Sequence, residues 1–461
     1  MGIASKDQIQ RAKKIFFYRI CGTGMGAAAI LLKERGAEVF GADSSYYPPM
    51  SDYLKKNNIP LFDLADMTKS RLEEYDLIIV GNSVPRGSPG AALIEGASTP
   101  YCSFPTALGE LVLKDRHVIG VSGTHGKTTT TYFIKQLLVA LGEQAGHLIG
   151  GVMEELPAAE LGSSQYFVIE SDEYDSAYFL KEAKFLSYEI DSLIISSLEF
   201  DHADIYDSIE DIKDEFRNLI PKLSTPIVAH SGYPAIKELA SEFSNQTFHY
   251  FDQGEVKTLA HNRSSFEVLG HEFETNLVGE HNILNIKSAL CVLSDLGFDL
   301  ESLRDPLLQM KMVKRRQEIR GLYQGAVVID DFAHHPKACQ LTIDGVKKMF
   351  PEKKLLAVFE PVSATARSSI FQKEFSESFD QADSIIIAKS SLKTTVSKGD
   401  LDAHKLCAEI EGRGKEALVC ETLESLRSLL DQKLNEKTVA LIMSNRTCLG
   451  LWESDFVKAL R

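Results

Sequence analysis

The sequence predicts an α/β protein of three domains: N-terminal Rossmann-like, central P-loop with a mainly parallel sheet, and C-terminal Rossmann-like. Short apolar, β-branched runs alternate with helical patterns along most of the chain. Two glycine-rich turns, Gly22-Thr-Gly-Met-Gly26 and Gly123-Thr-His-Gly-Lys127, each follow such a run and precede a helical stretch. After the charged passage Lys314 to Gly321 a fresh alternation begins. The expected domains are 1–112, 113–315 and 316–461.

In the first domain, Lys13 to Cys21 reads as a buried strand, and the helix that follows carries Ala28, Ile30, Leu31 and Leu32. Gly22 and Gly24, with Ala27 in the third position, satisfy a relaxed nucleotide fingerprint. A second strand, Glu38 to Gly41, leads to Asp43, about where a ribose-binding acid belongs. A tight turn with an ordinary strand-end acid fits the same residues. The third strand, Asp76 to Val80, opens into Gly81-Asn82-Ser83, again a small polar loop at a strand's carboxyl end.

The central domain starts on Val118-Ile-Gly-Val-Ser-Gly-Thr-His-Gly-Lys-Thr-Thr-Thr130. An apolar strand runs into glycines, and a helix with Phe133, Ile134, Leu137 and Leu138 on one face leaves from Lys127. Such a turn aims backbone N–H groups and the helix's positive end at a polyphosphate. Lys127 is placed for the β and γ oxygens, and Thr128 for Mg²⁺. Val121 stands where the strict Walker spacing asks for glycine, so the loop is a variant. A strand Tyr166 to Glu170 then delivers a carboxylate suited to a hard cation. Another, Ser192 to Ser196, leads to His202, so that three strand ends converge on one triphosphate.

Residues 231–277 read as short, peripheral, antiparallel segments, including Phe266 to Leu269 and Phe273 to Leu277. His281, Asn282 and Asn285 open a helix, where capping alone would account for them. The third domain begins with Val327 to Asp330, whose end presents Asp331, His334 and His335 before Pro336 starts a helix. No third ligand at suitable spacing makes this cluster a metal site, so nucleotide or substrate contact is expected. Strands at 355–359, 384–387 and 439–443 alternate with helices near 341–350, 371–379 and 404–411.

Composition narrows the function. The net charge of −15 excludes a general nucleic-acid or anionic-membrane binder. Seven cysteines, odd in number and without a C-x-x-C pair, indicate neither a disulfide framework nor a zinc site. No apolar run reaches 18 residues, so a cytoplasmic protein without membrane insertion is expected. An oxidoreductase using the Gly22 turn leaves Lys127, Thr128, Glu170 and His202 without a role, and a GTPase would need an Asn-Lys-x-Asp motif. A non-catalytic sugar-nucleotide sensor would have no use for the phosphate loop and its acids.

Gly123 to Thr129, Glu170, Asp201-His202, Gly279-Glu-His-Asn282 and Asp330-Asp-Phe-Ala-His-His-Pro336 occur in the order of the Mur ligase family, which the chain resembles over nearly its whole length. That resemblance implies a UDP-sugar domain, a central ATPase and a domain for the incoming amine. Tyr47-Pro-Pro-Met-Ser51, Gly81-Asn82, Arg86-Gly87, Glu170 to Asp175, Leu198 to Asp204 and Asp331-Phe332 resemble the branch that adds the murein tripeptide L-Ala-γ-D-Glu-meso-diaminopimelate to UDP-N-acetylmuramate. The alternative branch adds L-alanine.

Carried over, the catalytic residues are Lys127, Glu170 and His202, with Mg²⁺ on Thr128, Glu170 and His202. ATP would meet Gly123, Thr124, His125, Gly126, Lys127, Thr128, Thr129, His281, Asn282, Asn285, Arg316 and Asp331. The substrates would meet Gly22, Thr23, Gly24, Met25, Gly26, Asp43, Asn82, Ser83, Glu173, His334, Ser363 and Thr365. Arg217 stands where sister ligases carry a carbamylated lysine, so that modification is not expected. The chain departs from the pattern at Arg19, at Pro361-Val-Ser-Ala-Thr365 in place of Pro-Arg-Ser-Asn-Thr, and at Ser444 to Gly450 in place of a glycine-rich turn.

Overall fold

A computed structural model describes residues 2–46, 50–150, 156–201, 205–260, 263–363, 366–389 and 399–461. His202 and Thr365, both expected at the site, lie outside these residues. The chain forms two compact units, one of Met1–Glu199, Ile209–Gln253 and Asn285–Leu307, the other of Phe200–Ser208, Gly254–Leu284 and Leu308–Arg461.

The first unit holds two main sheets. Strands β1 (Lys14–Tyr18), β2 (Glu38–Asp43), β3 (Leu61–Asp63), β4 (Leu77–Val80) and β5 (Tyr101–Ser103) make a parallel sheet in the order β3-β2-β1-β4-β5. The chain winds outward from β1 and then returns to its other side at β4. The turns after β1 and β4, at Gly22 and Asn82, therefore flank a switch point, where open α/β sheets bind ligands.

The second sheet contains β6 (His117–Ser122), β7 (Gly146–Leu148), β8 (Ala159–Glu160), β9 (Tyr166–Glu170), β12 (Ser192–Ile195), β13 (Ile227–Ala229) and β14 (Phe248–Tyr250), with a hairpin of β10 (Asp175–Ala177) and β11 (Leu180–Ala183) beside it in sequence. Its order is β14-β13-β12-β6-β9-β7-β8, with only β8 antiparallel. Val118, Ile119, Val121, Phe167, Val168, Ile169, Leu193, Ile194 and Ile195 are all buried, as strands covered on both faces require. Residues 231–250, expected to be antiparallel, instead extend this parallel sheet through helix Pro234–Glu242 and β14.

One buried group makes this sheet sensitive to acid. His147 on β7 is fully buried, its Nε2 lies 2.8 Å from Pro157 O, and burial lowers its pKa to about 4. A carbonyl only accepts, so Nε2 carries the proton. The unfolded histidine binds its second proton near pH 6.5 and the folded one does not, so its contribution is intact above that pH. It is lost as pH falls toward 4, at up to about 1.4 kcal/mol per pH unit. His147→Gln, which keeps an N–H donor, is expected to flatten urea-unfolding stability against pH between 6.5 and 4.5. Identical slopes in the two proteins would refute this.

In the second unit, β15 (Val256–Ala260), β16 (Arg263–Val268) and β17 (His271–Thr275) form the expected antiparallel sheet. The remaining strands are β18 (Glu318–Tyr323), β19 (Ala326–Asp331), β20 (Lys354–Glu360), β21 (Ser384–Ala388), β22 (Glu416–Cys420) and β23 (Thr438–Ser444), in the order β18-β19-β23-β20-β21-β22. All are parallel except β18. One face packs Cys339, Ile343, Phe375, Phe379, Leu406 and Ile410, and the other Leu426, Leu430 and Phe456. All seven cysteines are buried and free. No helix among the described residues is long and apolar enough to cross a membrane.

Candidate active site

Strand β6 lies between β9 and β12, and the registers Val121↔Glu170 and Ser122↔Ile195 bring the three strand ends level. The loop between β6 and helix Lys127–Ala140 turns through two left-handed glycines, Gly123 (φ 127) and Gly126 (φ 86). A Cβ on Gly123 would lie 2.5 Å from Ser196 Oγ and 2.6 Å from Ser197 O, and one on Gly126 2.7 Å from Asn285 Oδ1. Only glycine fits either place.

The end of β12 clamps the loop. Ser197 Oγ accepts from His125 N at 2.7 Å, and Ser196 Oγ donates to Ser122 O at 3.0 Å. Thr124 Oγ1 accepts from Glu199 N at 2.9 Å, while His125 Nε2 lies 3.0 Å from Glu199 Oε2. The helix's first N–H groups, at Lys127, Thr128 and Thr129, have no intrahelical acceptor and so suit an anion.

Lys127 Nζ donates to Gly123 O at 2.6 Å and to Glu173 Oε2 at 3.1 Å, and lies 3.5 Å from Asp172. Glu173, expected toward the substrate, sits beneath the loop, where its other oxygen accepts from Gly123 N at 2.7 Å and Ser122 Oγ at 3.0 Å. Thr128 Oγ1 donates to Glu170 Oε2 at 3.0 Å, and Glu170 Oε1 accepts from Gly150 N at 2.6 Å. Burial raises the Glu170 pKa against the pull of these two donors and Lys127. A hydroxyl beside a carboxylate is an all-oxygen donor pair that fits Mg²⁺.

Sequence reasoning missed Ser196, Ser197 and Lys184, which pairs with Asp172 at 2.8 Å. Nothing marked them, because their partners lie 12 or more residues away in sequence. Arg217 is bound by Glu242 and Asp214 at 2.7 and 2.6 Å, with Glu210 at 3.2 Å.

In the first sheet, Asp43 accepts from Cys21 N and Ser44 N, both at 2.8 Å, so its carboxylate shapes the glycine turn from below. Gly22 and Thr23 are exposed at the start of helix Thr23–Glu34. Met25 and Gly26 are buried; a Cβ on Gly26 would lie 2.2 Å from Met50 Sδ, and Gly24 faces the Phe104 ring. Asn82 and Ser83 are exposed in the turn after β4.

In the second unit, Asp331 accepts from Gln317 N at 2.8 Å and Ala333 N at 2.7 Å. Arg316 lies over the Phe332 ring at 5.0 Å, and His334 Nδ1 is 3.0 Å from Phe332 O. His281 Nε2 accepts from Gln317 Nε2 at 3.2 Å; burial, then Arg316 and Lys348, lowers its pKa to about 4, so the ring is neutral at pH 7. Asn282 donates to Val278 O at 2.9 Å, and Ser363 Oγ caps Ala366 N at 3.1 Å.

Family models match in chain order: Mur ligase family, catalytic domain, over residues 14–116; Mur ligase middle domain, over 121–293; and Mur ligase, glutamate ligase domain, over 315–446. The UDP-N-acetylmuramate--L-alanyl-gamma-D-glutamyl-meso-2,6-diaminoheptandioate ligase of Haemophilus influenzae is 35% identical over 390 residues, 81% of this chain and 85% of that protein. The chain belongs to the Mur ligase family. It is an ATP-dependent ligase forming carbon–nitrogen bonds, as the members of that family are. The Escherichia coli ligase of the same description is 37% identical over 387 residues, covering 81% and 84%. A murein peptide ligase from Psychrobacter arcticus has the same Mur ligase architecture, with TM-score 0.70 and 27% identity over 96% of this chain and 98% of that one.

Proposed function

We propose that this Mur ligase joins L-Ala-γ-D-Glu-meso-diaminopimelate to the muramoyl carboxylate of UDP-N-acetylmuramate, with ATP as phosphoryl donor, in the cytoplasm. The observation that carries the chemistry is the convergence of Lys127, Thr128 and Glu170 at one end of the central sheet. What supports the acceptor is the description borne by two relatives of 35% and 37% identity.

Residues 1–112 would hold the UDP-sugar, with Gly22 to Gly26, Asp43, Asn82 and Ser83 at its switch point. Residues 113–315 would hold ATP and 316–461 the amine, with His334, Ser363 and Thr365 on that side. Mg²⁺ would be held by Thr128, Glu170 and His202, and would offset charge between two anions that must approach each other. Lys127 neutralises the phosphoryl oxygens and the helix N–H groups orient them. The activated carboxylate is an acyl phosphate, which the tripeptide's neutral amine attacks, releasing phosphate.

Phosphate release is expected to require Mg²⁺, ATP, UDP-N-acetylmuramate and an amine together, and to be faster with the tripeptide than with L-alanine at equal concentration. A preference for L-alanine would overturn the acceptor.

A further inference from the structure

Both turns that flank the first sheet's switch point are tied to the β10–β11 hairpin, which is rooted beside the phosphate loop. The two strands pair through Asp175↔Ala183 and Ala177↔Leu180, leaving Tyr178-Phe179 at the tip. That tip is seated in the first sheet's core. Tyr178 is buried in a cluster whose other buried members lie between Phe16 and Tyr101, and Phe179 meets the Tyr101 ring edge-on at 5.0 Å.

The first tie is Arg86, in the turn after β4 that also carries Asn82 and Ser83. Its Nε and Nη2 both donate to Tyr178 O, at 3.2 and 2.9 Å. A planar fork closed on one oxygen fixes direction as well as distance. The second tie starts at the glycine turn. A Cβ on Gly24 would lie 3.2 Å from Phe104 Cζ, and the Lys184 ammonium stands over the same ring, 6.0 Å from its centre.

The root of the hairpin belongs to the other site. Asp172 and Glu173 stand just before β10, and Lys184 just after β11. Lys184 N donates to Tyr174 O at 3.2 Å and its Nζ to Asp172 at 2.8 Å, which closes the base. Asp172 lies 3.5 Å from Lys127 Nζ; Glu173 lies 3.1 Å from it and accepts from Gly123 N at 2.7 Å. The carboxylates that set the phosphate-binding ammonium therefore stand on a hairpin whose tip is held elsewhere. Hydrogen-bonded strands carry such a constraint from one end to the other.

We infer that this hairpin couples the two ligand sites, with Arg86 as the positioning residue that acts through the Tyr178 carbonyl. A sugar nucleotide that fills the 82–88 turn holds Arg86, and through it the hairpin and the two carboxylates around Lys127. ATP then meets a phosphate loop already set, and by linkage each ligand tightens the other. The inference rests on the proposed sugar nucleotide. It gives Arg86, which the phosphoryl chemistry leaves without a role, a place in the reaction. A tie that only braced the fold would be felt at each site alone, whereas coupling shows only when both are filled.

Calorimetric titration of the full chain with the Mg²⁺ complex of a non-hydrolysable ATP analogue, with and without saturating UDP-N-acetylmuramate, reads the coupling directly. In the wild type the sugar nucleotide is expected to lower the analogue's Kd about five-fold or more. In Arg86→Ala that factor is expected to fall below about two, with the Kd of each ligand alone within about three-fold of wild type. Arg86→Lys, which keeps a donor for the carbonyl, is expected to retain a factor of about three or more. A wild type without coupling, an alanine variant that keeps it, a lysine variant as uncoupled as alanine, or single-ligand affinities that fall as far as the coupling would overturn the inference. A wild type that does not bind UDP-N-acetylmuramate would overturn the sugar-nucleotide reading itself, before any variant is compared.

Discussion

Lys127→Ala is expected to reduce phosphate release by about a thousand-fold or more while the protein stays folded. The ammonium is fixed by Gly123 O at 2.6 Å and Glu173 at 3.1 Å, with Asp172 at 3.5 Å. Two carboxylates thus stand beside the cation that a triphosphate needs. Without Lys127 a polyanion would face Glu173, Asp172 and Glu170 with Lys184 as the other nearby cation, itself paired with Asp172. Binding as well as the chemical step should therefore weaken.

Stability should fall less. Glu173 keeps Ser122 Oγ and Gly123 N as donors after the lysine is gone, so its buried carboxylate is not orphaned. A loss on the order of 2 kcal/mol is expected. Phosphate release and a urea unfolding curve on the same preparation separate the two effects. A variant that keeps a tenth or more of wild-type turnover would show that Lys127 is not the charge on which transfer depends.

The parts legible in the sequence were those whose signal is local. A strand covered on both faces is a run of apolar β-branched residues, so β1, β4, β6, β9, β12, β19, β20, β21 and β23 could be read directly. Strands β7 and β8 are only three and two residues long, and edge strand β18 alternates with Arg320 and Gly321; such elements owe their form to the neighbour they pair with. Lys127, Thr128 and Glu170 were legible because motif and strand end coincide. The loop's supports were not legible as supports, because Ser197 and Glu173 act through hydrogen bonds to loop residues at least 46 positions away. Asp43 shows the reverse: it was legible as a ribose-binding candidate, but the structure directs its oxygens to the backbone amides of Cys21, before the glycine turn, and of its own neighbour Ser44.

Asp331 is such a support, and removing it should be nearly as damaging as removing Lys127. Its carboxylate is 4% exposed and accepts from Gln317 N at 2.8 Å and Ala333 N at 2.7 Å. Arg315 and Gln317 are both left-handed, with φ 59 and 51, on either side of Arg316. Non-glycine residues hold that conformation only under constraint. Asp331 supplies it on one side, and the Phe332 N to Arg315 O bond, at 2.8 Å, on the other.

Asp331→Ala would leave two backbone N–H groups without their acceptor and let the 315–317 turn relax, so Arg316 would lose its seat over Phe332. A loss of about 3 kcal/mol in unfolding free energy is expected, with turnover down about a hundred-fold or more. Asp331→Asn keeps one acceptor oxygen and should lose about half as much stability. If alanine and asparagine prove equally stable to urea, the carboxylate is not what holds the turn, and the left-handed pair must be enforced by packing around Phe332 instead.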